Sequence, residues 1–141
     1  MRGSLTLKYE FNPDPNDDFG WLEARVEADG FCGANGFWVQ WQDVVEFASS
    51  LSQYPLPKGQ RVEAEWGYSE GGTYTRVTFI SLTASNRGGG IAVCVDLADS
   101  YDVRRRCQLV FETSYANLSD FRVGLESLMK RAGESAVLLS T

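Results

Sequence analysis

Hydrophobic and polar positions alternate along most of this chain with a period of two, the pattern of strands that bury one face. Leu5, Leu7, Tyr9 and Phe11 alternate with polar neighbours, and a turn-rich stretch, Asn12-Pro-Asp-Pro-Asn-Asp-Asp18, follows. Alternation resumes from Trp21 to Asp29, with Leu22, Ala24, Val26 and Ala28 on one face. After Asp29-Gly30 a third strand carries Phe37, Val39 and Trp41 on one side. Then the period changes. Val44, Phe47, Ala48 and Leu51 fall on one helical stripe, which predicts a helix near 42–53, ended by Pro55 and Pro57.

Four more strands are predicted around Val62–Tyr68, Thr75–Ala84, Ile91–Leu97 and Cys107–Phe111, the middle two joined through Asn86-Arg-Gly-Gly-Gly90. Leu118, Phe121, Leu125, Leu128 and Met129 form the stripe of a second helix near 118–132, with Asn117 or Ser119 placed to cap it. Val137-Leu-Leu139 is apolar but too short to assign. The order βββαββββα predicts an α+β fold: an antiparallel, curved sheet of six to seven strands with two helices. An open sheet and a half-barrel both fit that order. No linker or repeat interrupts the chain, so residues 1–141 read as a single domain.

Turn chemistry sharpens the register. If Asp29-Gly30 is a two-residue type I′ turn, Leu22 falls opposite Phe37 and Trp21 opposite Trp38 on the other face. The parity of the last two strands pairs Val95 with Leu109 and Val93 with Phe111. Cys94 and Cys107 then lie on opposite faces, which disfavours a disulfide between them.

Composition narrows the class. Hydrophobic residues make up 43% and charged residues 23% of 141, a globular balance able to build a core without metal or disulfide staples. No apolar run is long enough to span a bilayer, and Met1-Arg-Gly-Ser-Leu-Thr6 lacks the apolar stretch of a secretory signal, so a cytoplasmic protein is expected. The net charge is −6, and residues 1–60 hold nine acids against four bases. Such a chain is repelled by phosphate backbones, which argues against nucleic-acid and anionic-membrane partners. The basic run Arg104-Arg-Arg106 stands among Asp99, Asp102 and Glu112 and reads as a solvated loop or strand start.

Candidate chemistry is sparse. The chain has no histidine and three scattered cysteines, Cys32, Cys94 and Cys107, expected as reduced thiols without metal. A serine nucleophile would need one of Lys8, Lys58 or Lys130 as its base, and no G-x-S-x-G occurs. Glu63 with Glu65, or Glu23 with Glu27, has the spacing of any solvated strand face. Asp14, Asn16, Asp17 and Asp18 lack the order of a calcium loop, and Pro13 and Pro15 favour an ordinary turn. The expectation is therefore a protein without catalytic, cofactor-binding or metal-binding residues.

The aromatics are the least bland feature. Trp21 and Trp38 fall on the polar parity of their strands, among Glu23, Arg25, Glu27 and Gln40. Two readings compete. Two helices must pack somewhere, which favours a covered face and makes both tryptophans core. Left open, they become interface anchors, and the partner-binding residues are Trp21, Glu23, Glu27 and Trp38.

The run Trp21 to Gly33, then Phe37-Trp-Val-Gln-Trp-Gln-Asp-Val-Val-Glu-Phe-Ala48, resembles the start of the WapI-type bacterial immunity proteins and related small bacterial families. The likeness lies in a G-F-x-G hairpin and a short helix of the form D-L-x-x-F. It continues through the Gly-rich turn Arg87–Gly90 and Phe111-Glu-Thr to Asn117-Leu-Ser-Asp-Phe121. The resemblance implies a protein that binds and neutralises a bacterial toxin. The acidity of the first 60 residues makes a basic partner the natural complement, so the expected partner is a basic toxin domain or other protein. The competing expectation is a carrier of a small molecule or lipid, with Trp41, Trp66, Phe79 and Phe111 lining an apolar cavity in a curved sheet. Neither reading fixes the oligomeric state.

Overall fold

The structure, a computed structural model, describes residues 2–85 and 89–141. Its elements run β1 (Gly3–Glu10), β2 (Phe19–Ala28), β3 (Phe31–Gln40), α1 (Trp41–Ser50), β4 (Arg61–Glu70) and β5 (Thr73–Ala84). β6 (Ile91–Ala98), β7 (Arg106–Thr113), α2 (Tyr115–Met129) and β8 (Ala136–Leu139) complete the chain. The Gly-rich turn expected at 86–90 falls between β5 and β6 in sequence, and its residues Asn86, Arg87 and Gly88 lie outside the described residues.

The α+β class and the antiparallel pairing stand, but the single curved sheet of six to seven strands is corrected to two four-stranded sheets. Sheet A has the order β3-β2-β1-β8 and sheet B the order β4-β5-β6-β7. Alternation reports which face of a strand is buried, not which strand lies beside it, so one curved sheet and two packed sheets look alike in sequence. The tail that carried no assignment is β8. It returns across the whole chain to pair with β1, placing Leu138 beside Leu5 and Ala136 beside Leu7.

Local register follows turn chemistry. Asp29 and Gly30 both hold positive φ, 49° and 91°, as a type I′ turn requires. Trp21 accordingly pairs with Trp38 and Leu22 with Phe37. In sheet B, Val93 pairs with Phe111 and Val95 with Leu109, while Cys94 pairs with Val110 and Cys107 with Leu97. All three cysteines are free thiols.

The sheets pack steeply across one another at β7. Cys107 lies over Gly33 of β3, Phe111 lies over Gly3 of β1, and the Thr113 hydroxyl donates to the Leu139 carbonyl beside β8. One strand thus crosses the end of all four strands of the other sheet, as in orthogonal sheet packing. A Cβ on Gly33 would lie 2.4 Å from the Cys107 Cβ, so only glycine permits this approach. The helices lie among the two inner faces: α1 touches β3 and β4, α2 packs on β8 and β1, and the helices meet each other. Leu5, Leu7 and Val26 from sheet A join Ile80, Leu82 and Val93 from sheet B and Phe47, Leu118 and Phe121 from the helices in one core.

Both helices begin slightly earlier than the periodicity suggests. Helix α1 starts at Trp41, which therefore ends the third strand instead of extending it. Helix α2 is capped by Ser114, whose hydroxyl accepts from the Asn117 amide at 3.1 Å, and not by Asn117 or Ser119. The Asn117 side chain instead donates to the carbonyls of Leu139 and Ser140, at 3.1 and 3.3 Å, and holds the end of β8. No helix among the described residues is long and apolar enough to cross a membrane.

Candidate functional site: the outer face of sheet A

Because the helices pack against the inner faces, the outer face of sheet A stays open. The covered-face expectation for the tryptophans is corrected. Trp38 is 55% exposed and Trp21 half-buried. Its indole lies over Gly36, where an added Cβ would come within 2.4 Å of the ring. Trp38 meets it edge to face, with ring centroids 5.0 Å apart and planes inclined by 71°, a favoured aromatic arrangement. Phe19, two residues before Trp21 and on the same face, is 45% exposed and extends the strip. The alternation that points to Trp21 reaches Phe19 if it is carried one step back into the preceding loop.

Three of the four residues singled out from the sequence come together: Trp21, Trp38 and Glu23. Glu27 shares the face but sits six residues from Trp21, about 20 Å along β2. It lines a different surface groove, with Arg2, Ser4 and Leu139. Beside Trp21 a groove of about 470 Å³ runs over Ala34 and Gly36, bordered by Thr6, Lys8, Glu23 and Arg25. Lys8 lies directly across from Glu23 and Thr6 from Arg25, so the face itself mixes charge.

The acidity concentrates at the tryptophan end. Glu10 is paired with Trp21 across the sheet. Burial pushes the Tyr9 hydroxyl above its ordinary range, and the charges of Asp18, Asp17 and Asp43 add to the rise. Asp18 also accepts from the Trp41 indole at 3.3 Å and from Gln42 at 2.8 Å, tying the loop to the start of α1. The other loop carboxylates hold backbone: Asp14 accepts from the Asn16 amide and Asp17 from the Phe19 amide, the short-range bonds of Asx turns.

Several charged groups elsewhere have structural partners. Asp96 is 4% exposed on the outer side of sheet B, where Arg76 donates at 2.8 Å and Arg106 at 2.9 and 3.0 Å. Arg104 pairs with Asp102 and Arg105 with Asp99, so each member of the arginine run answers a nearby acid. Glu63 pairs with Arg61 at 2.8 Å, and Glu65 lies 3.6 Å from Arg76. Among the described residues no cluster of cysteine, aspartate or glutamate has the arrangement of a metal site.

The four aromatics expected around a cavity do not share one. Phe79 lies on the outer side of sheet B beneath the Arg76 guanidinium, 4.2 Å from its ring centroid. Trp41 is 39% exposed. Only Trp66 and Phe111 contribute to the core. No family model matches this chain, and no curated protein matches it in sequence. Fold and surface together define an α+β protein of two crossed antiparallel sheets, one presenting an uncovered aromatic face.

Proposed function

We propose that the protein is a non-catalytic protein-binding module and that the outer face of sheet A, centred on Trp38 and Trp21, receives a basic protein partner. The toxin domain bound by a bacterial immunity protein is a partner of this chemistry. The observation that carries the reading is Trp38: a large aromatic, more than half exposed, packed edge to face against Trp21, with Glu23 diagonally beside it on the same face. Rigid aromatics of this kind supply contact area at little entropic cost and dominate interface energetics. Carboxylates around them speed encounter with a cationic surface. The core filled from both sheets and both helices, with Phe79 and Trp41 outside it, supports a binding surface over an internal carrier cavity.

The test is to titrate the protein with any basic protein domain that the neighbouring gene encodes. Trp38→Ala should weaken the complex by about 2 kcal/mol, roughly thirtyfold, while the midpoint of thermal unfolding stays put. Unchanged affinity in that variant removes the proposal.

A further inference from the structure

Four strands end the two sheets, and three of them are protected. Strand β8 has only four residues, and its Leu139 carbonyl accepts from both Thr113 and Asn117. Strand β7 is folded across sheet A, and its Glu112 carbonyl accepts from the Thr141 amide. Strand β4 carries Arg61, Glu63 and Glu65 and is broken in register between Trp66 and Gly67. Charges, bulges and short length are the usual devices against edge pairing. Strand β3 has none of them. Its ten residues, Phe31-Cys-Gly-Ala-Asn-Gly-Phe-Trp-Val-Gln40, include no charge and no proline. Among the described residues no strand pairs with its second edge. A groove of about 450 Å³ separates Gly33–Gly36 of that edge from the segment carrying Asp99, Tyr101 and Arg105.

We propose that β3 is a dimer edge: it pairs antiparallel with β3 of a second copy about a two-fold axis, joining two A sheets into one of eight strands. Charge is compatible with this occupant. Each copy carries a net −6, so repulsion between copies is least along an uncharged stretch, and β3 supplies ten such residues. Shape agrees. On the outer face the strand is small at Cys32, Ala34 and Gly36 and large at Trp38. Antiparallel pairing centred on Asn35 or Gly36 sets Trp38 of one copy beside Cys32 or Ala34 of the other, large against small in both directions, as an isologous contact demands. Centred on Asn35, it also places Phe31, 71% exposed in the single chain, opposite Val39 of the second copy. Pairing buries the edge and leaves the face open, so the two tryptophan pairs would stand on one continuous surface.

The test needs no partner, so it stands or falls apart from the binding reading above. Sedimentation of the full chain from low micromolar concentration upward should show a monomer–dimer equilibrium. Ala34→Lys, at an exposed position, should weaken that dimer at least tenfold with the thermal midpoint of the monomer unchanged. Glu63→Lys on β4 should leave it intact. Hydrogen exchange gives a readout free of any variant: amides of β3 should gain protection as concentration rises. A wild-type chain that stays monomeric, a dimer indifferent to Ala34→Lys, or β3 amides whose exchange ignores concentration each overturns the proposal.

Discussion

Trp21 and Trp38 stand directly opposite each other on β2 and β3, and the glycine two residues before Trp38 makes room for the first ring. Gly36 lets the Trp21 indole lie flat against the sheet, and the flat indole then props Trp38 edge-on at 5.0 Å. A side chain at position 36 would lift Trp21 and free Trp38. The arrangement therefore belongs to three residues, and its consequence is an exposed aromatic packed edge-on against a second one.

Binding should depend on position along this face. Charge reversal at Glu23, which borders the groove beside Trp21, should chiefly slow association with a basic partner, and the effect should shrink at high salt. Reversal at Glu27, about 20 Å from Trp21 along the strand, should change the association rate less. Stopped-flow association at two ionic strengths separates them. Equal effects would remove the aromatic end as the centre of the interface.

The crossing of β7 over β3 should be intolerant of one added methyl. Gly33→Ala drives a Cβ against Cys107 at 2.4 Å, between atoms close to two backbones. The expected loss is about 1–3 kcal/mol in urea unfolding. Adding Cys107→Gly should recover part of it, a coupling that a double-mutant cycle reads directly. Simple additivity of the two losses would show that the contact does not limit the packing.

Parity at the C-terminus gives a sharper contrast. Leu138 is fully buried beside Leu5, whereas Leu139 is 54% exposed on the other face. Leu138→Ala should cost about 2–5 kcal/mol, the range for a buried leucine. Leu139→Ala should stay within about 0.5 kcal/mol. Comparable losses would contradict the pairing of β8 with β1.

Thiol chemistry should rank the cysteines. Cys32 is exposed and should be alkylated first in the folded protein, while Cys107, partly buried, should lag. Burial pushes the Cys107 thiol up, and the nearby Cys32 and Asp96 add to it. The folded chain therefore keeps this proton at a pH where the unfolded chain has released it. Its share of stability is complete below the ordinary thiol value, about 8.5, and is lost as pH rises through the folded value. Cys107→Ala should flatten the alkaline limb of a stability–pH curve. In urea without reductant all three thiols should react, and fewer would indicate a disulfide.

Much of the site was legible in the residues. Parity placed Trp21, Trp38, Glu23 and Glu27 on one face, and the Asp29-Gly30 turn set Trp21 opposite Trp38. Phe19 was missed because Asn12–Asp18 reads as loop and the strand begins at once after it. The exposure of the face had no local signal. A tryptophan among charges looks the same whether a helix lies over it or water does.

Local chemistry thus determined what local chemistry can: alternation chose the buried face of each strand, a two-residue turn with both φ positive fixed one hairpin, and a change of period marked each helix. Tertiary structure decided which strands are neighbours and which faces remain bare. Leu5 and Leu138 lie side by side though almost the whole chain separates them, and no turn sets that register. It forms because the apolar alternation of β8 completes the inner face of sheet A. With β7 crossing one end of sheet A and both helices packed among the inner faces, nothing in the described chain remains to cover the outer face. That is why Trp38 meets solvent.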